Sequence, residues 1–391
     1  MNKNKILFYA SALLFCAISY LGFVIAVHKP FWADETHYLN YVGNQTLQTI
    51  LFGSYRIDPN SFPLFHLIEY TYTSLLQSLG IYWYALHYNI MAFEDIPLQI
   101  FERIPSNLSV SFAIAFSFYF YSRHFSPVVG ILVTLASLSV FPVWYHIAET
   151  RPYAIWYLLA TLQVAYLLGI HSTKGKNESF WNKLIIVQFF MCIFTVFSIF
   201  HIFTACAFLW LLGFRQKKKY YIASFLQALI WSFYYFKCEQ VGYFFSQRGL
   251  PHNLILANFK PEHMFVLLAF LAVFGCAYLK NKSQGVHNSL YQKLAPAWPV
   301  SLICLVMFVF VGIALVKFNM MKTGKETFEV SNRYFFHLSP LSSASFALIA
   351  YYGIKALNPR RFLQVLSVGF IVLICVYRIK KTYGLALSTW F

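Results

Sequence analysis

Asp34 and Glu35 stand side by side in FWADETHYLNYV (31–42), directly after a long apolar run. Only 13 of the 391 residues are acidic, so a pair of adjacent carboxylates is conspicuous. Adjacent carboxylates repel, which raises the pKa of one unless a cation or donor lies nearby. Such a group can act as a general base or a metal ligand; the plain alternative is two solvated loop acids. His37 and Tyr38 follow in the same stretch.

Three further segments pair charge with a helix start. In HIAETRPYAIWYLL (146–159), Glu149 and Arg151 precede Pro152, which is tolerated in a first helical turn, and Tyr153 follows. A guanidinium at a helix N-terminus suits a phosphate, and an ion pair capping the helix is the alternative. In FERIPSNLSVSF (101–112), Arg103 precedes Pro105 in the same manner, as a phosphate ligand or a headgroup anchor. In SNRYFFHLSP (331–340), Arg333 and Tyr334 open another span, where an Arg can hold a lipid phosphate or simply anchor at the interface. His66 and His201 are expected near the same face, although a lone membrane His more often packs than ligates. A divalent metal on Asp34 and Glu149, with His37, stays open, but no HxH or HxxxH spacing supports it.

The elements that position these residues are membrane helices. The chain is 59% hydrophobic and 11% charged, against roughly 25% charged for a soluble domain. Its apolar runs are continuous and many reach the ~18 residues that span a bilayer, which selects helices over a barrel. The net charge of +17 comes from short basic clusters between those runs, the pattern of cytoplasmic loops, so nucleic acid is excluded as a partner. The seven Cys lie mostly inside apolar runs without a CxxC and read as small core hydrophobes. A basic start followed by apolar 6–27 reads as an uncleaved anchor.

Placing the basic clusters inside gives about eleven spans: 6–27, 105–121, 127–147, 152–170, 183–200, 201–214, 220–237, 263–279, 297–316, 334–354 and 362–378. The 183–214 segment must then form two short helices with His201 at the tip. Arg378, Lys380 and Lys381 fall on the wrong side, so the last helix is re-entrant or the count is off by one. The first outer loop, 28–104, is long and carries SFPLFHLIEYTYTSLLQSLG (61–80), whose aromatic and polar mixture fits a helix lying in the interface. Repeats, low-complexity tracts and linkers are not visible, so 1–391 reads as one all-α polytopic membrane domain without a soluble part.

The order of these features resembles a known family. An anchor leads to an outer DE pair, then FPLFHL, RIPS opening a span, an RHFSP turn, ETRPYAIWYLL, and a late NRYFFHLSP. This looks like the lipid-dependent glycosyltransferases of the GT-C fold. It is most similar to the branch with protein mannosyltransferases, the aminoarabinose transferase of lipid A and bacterial core-sugar transferases of the Rgt type. The match covers about the first 215 residues, with the R-Y pair as a late anchor. Two departures stand out: the branch's H-P-P-L-Y-Y is SFPLFH here, with His66 after the Pro, and its DEA is DET.

The resemblance implies a monosaccharide donor on a polyprenyl phosphate and a cavity at the outer face of the bacterial cytoplasmic (inner) membrane. Asp34, with Glu35 beside it, would be the base, and Arg103, Arg151 and Arg333 would hold the donor phosphate. His37, Tyr38, His66, Glu149, Tyr153, His201 and Tyr334 would line the cavity. Transfer would be one inverting displacement to a glycan, lipid or protein acceptor. A flippase or transporter would place charges mid-span and show repeated halves. A glycan polymerase or ligase would carry its large loop late in the chain.

Overall fold

The computed structural model describes residues 3–31, 35, 46–52, 63–80, 96–195, 197–237, 246–247, 261–284, 289–307, 329–330, 336–357 and 360–388. It is built of helices: α1 Lys3–His28, α2 Leu47–Phe52, α3 Pro63–Ser78, α4 Ile96–Glu102, α5 Ile104–His124, α6 Pro127–Leu138, α7 Phe141–His146, α8 Tyr153–Ser172, α9 Glu178–Phe194, α10 Ser198–Leu211, α11 Lys218–Lys237, α12 Pro261–Gln284, α13 Ser289–Leu294, α14 Trp298–Met307, α15 Ser339–Leu357 and α16 Arg361–Ser388. Among the described residues, the strands are two-residue pieces, Ser246–Gln247 and Glu329–Val330, paired antiparallel.

Helices fall at every expected span. Among the described residues, α1, α8 and α16 are long and apolar enough to cross a membrane by length and composition. Shorter apolar helices occupy Pro127–Leu138, Ser198–Leu211, Leu268–Leu279 and Trp298–Met307.

Local chemistry sets the ends. α1 stops at His28 because Pro30 follows, and the residue before a proline avoids the helical region. Ser126 caps α6, its Oγ accepting from the Val129 amide at 3.2 Å, with Pro127 in the first turn. Asn177 caps α9 through its Oδ1, which accepts from the Ser179 amide at 3.0 Å.

Three expectations shift. The span at 127–147 is two helices, α6 and α7. α9 ends at Phe194 and α10 begins at Ser198, ahead of the turn expected at 200–201, which places His201 one turn inside α10 and buried rather than at a tip. α16 runs unbroken for 28 residues through Arg378, Lys380 and Lys381, so it is not re-entrant in the described segment. At 1.5 Å per residue it is roughly 42 Å long.

The chain forms two compact units. The first combines 1–13, 114–141 and 246–384; in it α6, α12 and α13 pack against α15. The second combines 14–113, 142–245 and 385–391, and contains the candidate site. Here α9 is central, packed by α3, α8, α10 and α11. α3 belongs to the expected interfacial stretch; at 16 residues it is roughly 24 Å long, short of a ~30 Å hydrocarbon core. Gly22 lets α1 meet α5 closely: a Cβ there would lie 2.4 Å from Asn107 Nδ2, and that amide donates to the Ser19 carbonyl at 3.1 Å.

Candidate functional site

The site is built where α1 ends, α5 begins and α7 passes into α8. Arg103 sits in the turn between α4 and α5, and its backbone carbonyl accepts from Asn107 to start α5. Its guanidinium is fully buried and faces the end of α1. Nη1 donates to the Ala26 carbonyl at 2.9 Å and to the Lys29 carbonyl, and Nη2 donates to the Pro30 carbonyl at 3.0 Å. A cation on the last carbonyls of a helix satisfies acceptors that have no intrahelical donor and complements the helix dipole.

The same group grips Glu35 in a two-toothed pair, Nε to Oε1 at 3.0 Å and Nη2 to Oε2 at 2.8 Å. These contacts use all five guanidinium N–H groups. No N–H of Arg103 is left for a phosphate, so the expected donor contact is replaced by a grip on the segment that carries Asp34. Glu35 is equally engaged. Its Oε1 also accepts from the Thr150 amide at 2.8 Å, and it is fully buried. Both of its oxygens are thus held by Arg103, and one also by the Thr150 amide.

A second ion pair lies beside the first. Lys29 Nζ donates to Glu149 Oε1 at 2.8 Å and rests over the Tyr145 ring at 4.1 Å. Glu149 Oε2 meets His146 Nδ1 at 2.7 Å. Burial pushes the Glu149 carboxyl up, but Lys29, His146 and Arg151 outweigh it and hold the pKa well below the usual carboxylate range. Thr150 Oγ1 donates to the Glu102 carbonyl at 3.1 Å. The contacts close a ring: Lys29 to Glu149, along the chain to Thr150, to Glu35, to Arg103, and back to the Lys29 carbonyl.

Arg151 is 3% exposed; its guanidinium lies 5.6 Å from the Tyr153 ring centroid, and its carbonyl accepts from Ser106 Oγ at 3.5 Å. Tyr153 stacks at a tilt on His146, 4.9 Å between centroids. Glu35, Arg103, Glu149, Arg151 and Tyr153 therefore lie together in the structure. His201 lies deeper, with Nδ1 3.2 Å from Gln163 Oε1 and its ring 6.3 Å from Trp156. His66 is buried on α3, on the face that also carries Glu69. Asp34, His37, Tyr38, Arg333 and Tyr334 lie outside the described residues.

Sequence reasoning missed Lys29, His146 and Thr150. The signal for Lys29 was present: a cation next to Pro30 at the end of the first apolar run. Thr150 acts through its backbone amide, which no residue type announces.

The metal expectation fits poorly on Glu149, since Lys29 and His146 occupy its two oxygens. Among the described residues, no group of three or more His, Cys, Asp or Glu could hold a metal ion.

No protein-family model matches the chain, and no curated protein matches it. Two solved structures do. One is ArnT from Cupriavidus metallidurans bound to undecaprenyl phosphate: 11% identical, with a TM-score of 0.54, covering 96% of this chain and 76% of that one. The other is the same protein in the apo state, at a TM-score of 0.52 and the same identity and coverage. The likeness is one of fold: the chain has the GT-C fold of a membrane protein.

Proposed function

We propose that the protein is an integral membrane glycosyltransferase that moves a sugar from a polyprenyl-phosphate donor to a cell-envelope acceptor at the outer membrane face. The observation that carries this reading is the buried ring around Arg103. One guanidinium holds the Pro30 carbonyl and the Glu35 carboxylate, residues that flank Asp34 in the sequence. A rigid support of this kind suits a general base, whose reach to the proton must be set within a fraction of an ångström. The fold supports the donor class, because the matched ArnT, an aminoarabinose transferase, was solved with undecaprenyl phosphate.

In this mechanism the acceptor hydroxyl attacks the anomeric carbon of the donor while Asp34 takes its proton. The bond to the phosphate oxygen breaks in the same step, with inversion, and the polyprenyl phosphate leaves with the electron pair. Arg151, at the start of α8, and Arg333 hold the leaving phosphate, where cations are most useful as charge develops. Arg103 and Glu35 are positioning residues. Tyr153, stacked on His146, would line the cavity beside them.

The test uses membranes that contain the full chain and a defined polyprenyl-phosphate sugar. Asp34→Asn is expected to remove transfer, by roughly 10²-fold or more, with insertion and thermal unfolding unchanged. Full transfer by that variant would sink the assignment.

A further inference from the structure

Two basic loops lie outside the transfer chemistry, and the structure joins them. The first links α8 to α9 at 173–177, and the second links α10 to α11 at 212–217. Trp181 is the lock. Its indole Nε1 donates to the Gly175 carbonyl at 3.2 Å, and its ring meets Phe214 edge-on at 5.8 Å. Gly175 has φ +71°, and a Cβ there would lie 2.7 Å from the Phe214 ring. Lys174 also adopts a left-handed φ of 51°, Gly213 one of 88°. Side-chain residues rarely accept that region, so the loop shape is specified rather than incidental.

The locked loops form one basic platform. Lys174, Lys176, Lys183, Arg215, Lys218 and Lys219 are exposed on it. Glu178 is the acid in these loops and helix starts, and it pairs with Lys217. Lys217 also rests over the Trp181 ring at 5.5 Å, and Arg215 over the Trp210 ring at 5.4 Å. The platform lies at the ends of apolar helices, α8 among them long enough to cross a membrane. Trp and Tyr at that level mark headgroup depth. Beside the cations, Trp210 and Leu211 present exposed apolar surface, Leu211 at 70%. Cations above and apolar surface below match the two halves of a phospholipid.

We propose that the two locked loops are a binding site for an anionic phospholipid, with the phosphate on the lysines and Arg215 and the acyl chains against Trp210 and Leu211. The site is independent of the transfer reading. Its distinctive claim is geometric: selectivity depends on the loops being locked together, beyond the number of charges they carry.

The experiment measures retention of phosphatidylglycerol against phosphatidylcholine by the purified full chain, using native mass spectrometry. Wild type should favour phosphatidylglycerol about tenfold or more, given that each cation near an anionic surface is worth about fivefold. Lys174→Gln, Lys176→Gln, Arg215→Gln, Lys218→Gln and Lys219→Gln together should bring the two lipids within about twofold of each other. Gly175→Ala keeps every charge and should still lose about fivefold or more of the preference. Trp181→Phe, which deletes the bond to Gly175, should act in the same direction and serves if Gly175→Ala does not fold. Changing Arg378, Lys380 and Lys381 to Gln should leave the preference intact. An unselective wild type overturns the proposal. So does a preference that survives both lock variants, an equal loss in the α16 variant, or binding of a soluble acidic protein without lipid preference.

Discussion

Two clusters of buried carboxylates lie in the same unit and behave in opposite ways. In the ring at the end of α1, Glu35 and Glu149 each meet a cation, Arg103 for the first and Lys29 for the second, with His146 Nδ1 on the other Glu149 oxygen. Between α3 and α4, Glu69 interacts instead with another acid, Glu102, and both Glu69 oxygens lack a hydrogen-bond partner among the described residues. Burial there pushes the Glu69 carboxyl well up, and Glu102 pushes it further. Glu69 and Glu149 are each 1% exposed, so burial does not separate them. Their partners do. A cation beside a buried acid favours its charged form and makes it a structural clamp; a second acid beside it favours the protonated form.

The sharpest way to break this contrast is to remove the cation of the first cluster. Arg103→Ala leaves Glu35 buried with one backbone donor and frees three carbonyls at the end of α1. A loss of about 3–5 kcal/mol is expected, read as a large drop in thermal unfolding temperature in detergent. Arg103→Lys keeps the charge but has three donors in place of a planar fork. It should recover only part of the loss. Wild-type stability in Arg103→Ala would mean that the ring is ornamental.

Next in size is the second ion pair. Glu149→Gln leaves the Lys29 ammonium buried without its counter-charge, at a cost of about 3 kcal/mol. Lys29→Met combined with Glu149→Gln replaces the pair with neutral groups of similar volume. Because the unpaired charge is the main penalty, the double variant should be more stable than Glu149→Gln alone. A double variant that is worse by the sum of the two single losses would show no coupling between the residues.

The contrast also marks how far the sequence could be read. Helix positions were legible because apolar runs of membrane length have few alternatives, and the R-P dipeptide at 151–152 announced a helix start. Arg103, Arg151 and Glu149 were legible because charges at helix starts are costly and rare in such a chain. What those charges touch was not legible. Arg103 and Arg151 present similar local patterns, yet Arg103 spends its donors on a helix end and on Glu35, contacts that span 68 to 77 residues of chain. The Glu69–Glu102 cluster was hidden for the same reason. His66 and Glu69 share one face of α3, but their acid neighbour comes from α4. The break between Phe194 and Ser198 escaped because every residue around it is apolar or small, and neither proline nor glycine marks it.

The finest test is pH. The Glu149 pKa is lowered in the folded state, so its contribution is present above the ordinary carboxylate value, 4.5, and is lost as pH falls below it. The Glu69 pKa is raised, so its contribution runs the other way. It is fully favourable below 4.5 and is lost as pH rises towards the raised folded value. Glu69→Gln mimics the protonated carboxyl and abolishes that loss. At pH 5 the variant should unfold close to wild type, and at pH 8 it should be the more stable of the two. Glu149→Gln should instead lose stability at both values, and more at pH 8. Thermal unfolding of the two variants at the two pH values gives four comparisons with opposite expected signs. If Glu69→Gln is the less stable protein at pH 8 by more than about 1 kcal/mol, Glu69 is an ionised partner in its cluster, and the two clusters are one kind of structure rather than two.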